Sequence, residues 1–152
     1  MGIFDSFNIN ASGLTAERYR MDIIAENVAN ANTTRTQDGT PYRRKVVTFE
    51  ERGERATMGD FSSYLRSARE EFRGQGVKVG KVVEDEWTQM NMVYDPAHPD
   101  ADENGYVLYP NVNIVTEMTN LISASRGYEA NATAFNASKS IAMKGLEMGQ
   151  GG

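Results

Sequence analysis

The chain has 152 residues, enough for one domain with extensions. Its formal net charge of −5 argues against duplex nucleic acid as a partner, because that backbone needs a basic face. There is no cysteine, which removes a disulfide framework and any thiolate metal site, and no apolar run is long enough to span a bilayer.

The opening run MGIFDSF has neither a basic stretch nor an apolar core, so no cleaved secretory signal is expected. Gly2 and Ser6 fit an N-myristoylation pattern superficially, but Phe4 and Phe7 have a simpler use on a helix face. Phe4, Phe7, Ala11, Leu14, Met21, Ala25 and Val28 recur at steps of three and four, with Arg18 alone breaking the row. That spacing predicts a helix over 3–32 with one narrow apolar stripe, flanked by Ile23 and Ile24. Gly13 and several asparagines weaken it, so in isolation it would be marginal.

Residues 34–110 read as a β-rich middle domain between helical segments 1–33 and 111–150. Asp38, Gly39 and Pro41 mark a turn. Residues 42–49 form a strand candidate. Residues 50–75 are densely charged with both signs mixed and predict an exposed arm, with one short helix over 61–72. Residues 76–82 alternate strictly and predict a half-buried strand, with 87–94 as its hairpin partner. Residues 106–109 give a short fourth strand, closed by Pro110.

In the last segment Ile114, Met118, Leu121, Tyr128, Ala132, Phe135, Ala142 and Leu146 again step by three and four. Asn113 and Glu117 supply an N-cap and a favourable first-turn charge. The second helix is long enough to cover the first, and a compact middle makes the pair antiparallel. The expected class is α+β, with long terminal helices in a coiled-coil-like pair. Leu14, Met21, Val28, Met118, Leu121, Ile122, Tyr128 and Phe135 are the expected seam, extended by Phe4, Phe7, Ile24, Ile114 and Leu146.

Chemistry-bearing candidates are few. Asp100, Asp102, Asn104 and Gly105 occupy positions of a calcium loop, but Leu108 and Asn111 stand where further oxygen ligands belong. Pro96 and Pro99 also disfavour an entering helix. The segment reads as an Asx-rich turn. His98, the only histidine, reads as a turn residue rather than a base. No convergent catalytic constellation is visible, so neither an enzyme nor a cofactor is expected. Arg43, Arg44 and Lys45 read as a solvated strand start, or else as a contact to an acidic neighbouring subunit. Asn27, Asn30, Asn32, Asn120, Asn131 and Asn136 are poor helix formers, and they suit helices that pack closely with their outer face covered.

At this point a family resemblance emerges. The runs ASGL at 11–14 and DIIAENVANANTT at 22–34, with Asn27, Asn30 and Asn32, resemble the N-terminal signature of bacterial flagellar axial proteins, the rod and hook group. Asp95, Pro96, Pro99, Asp100, Asp102, Gly105, Tyr106, Pro110, Asn111 and Asn113 resemble the run found in proximal rod subunits of that group, and so does SASRGYEAN at 123–131. The resemblance spans nearly everything except 50–75. It implies a structural subunit of the basal-body rod, exported without signal cleavage through the flagellar type III channel and assembled in the periplasm. Implied partners are copies of itself, other rod proteins, the ring or adaptor at the rod base and the export apparatus, with no nucleic acid and no membrane insertion. Ile3, Phe4 and Phe7 are the implied export residues, and FSSYL at 61–65 resembles an export-gate motif. The rival readings are a calcium-binding module and a cytosolic helical adaptor.

Overall fold

A computed structural model describes residues 3–52 and 75–150, with side chains over 5–52 and 75–149. The order is α1 (Ile3–Ala29), β1 (Lys45–Glu51), β2 (Val77–Glu84), β3 (Asn91–Tyr94), β4 (Tyr106–Tyr109) and α2 (Ile114–Gln150). The fold is α+β: two terminal helices and two small antiparallel sheets. The short helix expected over 61–72, the motif at 61–65 and most of the charged arm fall outside the described residues.

α2 is 37 residues long and starts at a genuine cap: Asn113 Oδ1 accepts the Thr116 amide at 3.1 Å. α1, with 27 residues, ends as predicted within a few residues, at a turn over 30–32. The helices run antiparallel. Phe7 meets Phe135 edge-to-face at 5.0 Å, and Asn27 bonds Glu117 at 3.0 Å. In this register the last turns of α2, beyond about residue 141, run past the start of α1.

The strand pairing differs from expectation. β2 pairs with β1, and β3 pairs with β4. The predicted β2–β3 hairpin fails because Asp85 is taken up by the first sheet and by a local turn. Its amide continues the β1–β2 ladder to Arg44 O at 2.8 Å, and its carboxylate accepts the Thr88 amide and hydroxyl at 3.0 and 2.8 Å. Within the β1–β2 ribbon the register shifts between Val47 and Phe49. Thr48 Oγ1 fills the gap, accepting the Lys81 amide at 3.0 Å and donating to its carbonyl at 3.1 Å.

The ribbon lies on α1 and, among the described residues, its strands do not pack on α2. A small core of Ala31, Tyr42 and Val112 closes the junction where α1 ends and α2 begins, beside buried Val107 and Pro110. The β3–β4 turn is set by Gly105 at φ +82°, a conformation L side chains rarely adopt. A Cβ there would also press on Pro96 and on the Tyr94 ring.

Candidate functional site, a polar junction and an open helix face

The sharpest local geometry lies where the first strand, the middle loops and both helices meet. Asn27, fully buried on α1, uses its whole hydrogen-bonding capacity. Its Nδ2 donates to Lys45 O at 2.8 Å and Glu117 Oε2 at 3.0 Å. Its Oδ1 accepts from the Lys45 amide at 2.8 Å and the Tyr42 hydroxyl at 2.9 Å. Glu117, 1% exposed, receives Arg44 Nε and Nη2 on Oε1, both at 2.8 Å. Arg44 Nη1 also stands 3.6 Å from Asp85.

Asn111 ties in the middle loops. Its Oδ1 accepts the Arg44 amide at 2.8 Å, and its Nδ2 donates to Asp85 O at 2.8 Å and Thr88 O at 3.2 Å. A buried carboxylate survives here because a guanidinium and an amide satisfy it. Burial above all, and then the carboxylates of Glu26, Glu84 and Glu117, push the Tyr42 phenol up to about 12. The Thr88 hydroxyl and amide, aided by the Trp87 amide and Arg44, hold Asp85 below its usual range. The junction is therefore a mechanical joint: it fixes β1 and the middle loops to both helices at once.

The seam along the pair is built from small residues. Ala124 has no exposed surface, and Ala16, Ser12 and Gly13 are buried opposite. A Cβ on Gly13 would stand 2.7 Å from Asn131 Oδ1, and one on Gly127 would stand 3.1 Å from the Glu17 carboxyl. Glu17 Oε2 is buried without a hydrogen bond, its cation Arg20 lying 3.8 Å away. Ile24 is buried, Phe7 and Phe135 touch, and Leu14, Met21 and Val28 are half-buried.

Of the α2 residues expected in the seam, Phe135 packs there, but the others are exposed. Met118 is 57% exposed, Ile122 56% and Leu146 68%, and Ile114, Leu121 and Tyr128 are also exposed. The expectation followed the largest side chains, whereas close approach of two helix axes selects the smallest. The displaced residues form an open face: Ile114, Met118 and Ile122 lie roughly 130° around α2 from the seam residues Ala124 and Asn131. Phe4 lies on α1, but its side chain is outside the described ones.

Residues 7–36 match the family of flagella basal body rod proteins, and residues 103–148 match the C-terminal family of the flagellar basal body rod FlgEFG proteins. The flagellar basal-body rod protein FlgC of Bacillus subtilis is 47% identical, covering 99% of this chain and its own full length. That of Borreliella burgdorferi is 46% identical and that of Salmonella typhimurium 39%, each with the same coverage. The chain belongs to the FlgC family of flagellar basal-body rod proteins. It is a structural subunit of the flagellar rod.

The rod-protein segments meet in the junction. Asn27 comes from the first matched segment, and Asn111 and Glu117 come from the second, while Arg44 and Asp85 come from the middle between them. The basic run 43–45, read as solvated or as a contact to an acidic neighbouring subunit, is half-buried and engaged within the subunit. Arg43 reaches Asp85 O at 3.4 Å, Arg44 holds Glu117, and Lys45 pairs with Glu26 at 2.6 Å beside the Tyr42 ring. Its neighbours come from distant parts of the chain, which no local pattern signals.

The remaining motif residues serve turns. Asp95 accepts the Ala97 amide, and Asp102 accepts the amides of Asn104 and Tyr106 at 2.8 Å. Asp100 accepts the Thr34 hydroxyl at 2.9 Å and pairs with Arg35. His98 Nδ1 accepts the Asp100 amide at 3.1 Å. Asn30 bonds its own helix at Glu26 O, Pro110 O accepts from Asn91, and exposed Asn32 lines a groove beside Met92 and Pro99 flanks the next one. Tyr106 meets Tyr94 edge-to-face at 5.2 Å. Among the described residues no helix is long and apolar enough to cross a membrane.

Proposed function

We propose that this subunit belongs to the proximal part of the rod, where it joins a helical tube through its terminal helices and transmits torque as part of the drive shaft. Its neighbours are copies of itself, other rod proteins and the ring or adaptor at the rod base. It reaches the periplasm through the flagellar type III apparatus without signal cleavage. Contacts run head-to-tail, so that they propagate. The ends of the helices order as these contacts form, and the entropy of ordering is met at that step.

The observation that supports this best is the open apolar face of α2, continued by Met143 and Leu146 past the end of α1, where Ile141 and Met148 are also exposed on another side. A row of that length left in water marks a surface meant for other chains. Met118→Asp tests it. Met118 is mostly exposed, so the isolated variant should unfold in urea within about 0.5 kcal/mol of wild type. In cells it should be missing from isolated basal bodies, and motility should be lost. Normal incorporation and swimming would dispose of the assignment.

A further inference from the structure

We propose that the β1–β2 ribbon is a splint that keeps α1 helical from Ser12 to Asn27 in the isolated subunit, so that only the flanking segments order on assembly. The second half of this statement rests on the assembly-coupled ordering proposed above. A two-stranded ribbon is marginal alone, and so is a helix of this composition. Here each gives the other a partner.

The two are pinned at two points. At one, Asn27 exchanges hydrogen bonds with both backbone groups of Lys45, the first residue of β1. At the other, Ser12 Oγ accepts the amide of Val77, the first residue of β2, at 3.0 Å and donates to Ile9 O at 2.7 Å. The pins lie about 22 Å apart along the helix, and seven residues of β1 span about the same length. Gly76, at φ +95°, makes the second pin possible, since a Cβ there would fall on the Ser12 hydroxyl. The Arg52 amide donates to Gly76 O at 2.8 Å and closes the ribbon beside it.

N-terminal to Ser12 the support is thinner. The Phe7–Phe135 contact and a 3.5 Å bond from Asn10 to Ser138 hold that end to α2. Opposite it, α2 is largely exposed from residue 133 onward.

Amide hydrogen exchange on the full-length monomer tests this. Slow exchange is expected over 16–29 and in both ribbon strands, with fast exchange over 5–11 and 135–149. Ser12→Ala should speed exchange at Val77 and over 16–20 by about tenfold, the effect of one lost hydrogen bond, and leave the Asn27 end unchanged. Gly76→Ala should act in the same way. A boundary near Ser12 that neither variant moves, or an α1 unprotected throughout, would overturn the splint and leave coupled ordering standing. Protection running evenly over 5–29 and on through 135–149 in the monomer would overturn both, since nothing would remain to order.

Discussion

Replacing Asn27 by aspartate keeps the side chain's shape and removes its two donors. In place of two hydrogen bonds, a carboxylate oxygen would face Lys45 O at 2.8 Å and Glu117 Oε2 at 3.0 Å. Each buried acceptor left unsatisfied costs about 1–3 kcal/mol. Two like charges near 3 Å add about 1–5 kcal/mol between the limits of bulk water and a protein surface, less what Arg44 and Lys45 offset. The sum, roughly 3–11 kcal/mol before that offset, is a large part of a stability of about 5–15 kcal/mol.

Asn27→Ala has no repulsion but removes all four bonds, stranding the Lys45 amide and the Tyr42 hydroxyl as well and leaving a cavity, so it too should be strongly destabilising. Mild acid should narrow the gap between the aspartate variant and wild type, because protonating the new carboxyl restores one donor. Adding Glu117→Gln to the Asn27→Asp variant should recover stability beyond the sum of the single changes. Urea unfolding followed by far-UV circular dichroism, at neutral pH and near pH 5, reads all of this. An aspartate variant as stable as wild type at neutral pH would refute the picture of a fully satisfied buried amide.

Tyr42 has its folded-state pKa raised from 10.0 to about 12, so its contribution is complete below pH 10 and is lost as pH rises toward 12. Wild-type stability should fall by up to roughly 3 kcal/mol more than that of Tyr42→Phe across this window in urea titrations. Asp85 is shifted the other way: its contribution is present above the usual value of 3.8 and lost as pH falls through the lower folded-state value. Thr88→Val removes the hydroxyl that donates to the carboxylate, so an NMR titration should find the Asp85 carboxyl protonating at higher pH than in wild type. Ala124→Leu forces bulk into a fully closed seam and should destabilise by about 1–3 kcal/mol in urea, whereas Ile122→Ala on the open face should stay within about 0.5 kcal/mol.

Much of the architecture is legible along the chain because its causes are local. Steps of three and four mark both helices, Asn113 announces the cap it forms, and alternation marks residues 76–82 as a strand. Asp38 with Gly39, and Asp102 with Gly105, specify turns through short-range hydrogen bonds and left-handed glycines. The family runs are legible for the same reason: Asn27 and Asn111 stand in recognisable segments.

What those residues touch depends on tertiary structure. Arg44 reads as a surface charge until Glu117, 73 residues away, is brought beneath it. The pairing of β1 with β2 follows from how the ribbon lies on α1, not from the turn nearest β2. The seam was the hardest to read. Periodicity ranks residues by hydrophobicity, but two backbones approach closely only where side chains are small. Only the packed pair reveals that Ala124 and Gly127 close the interface and leave Met118 and Ile122 facing outward.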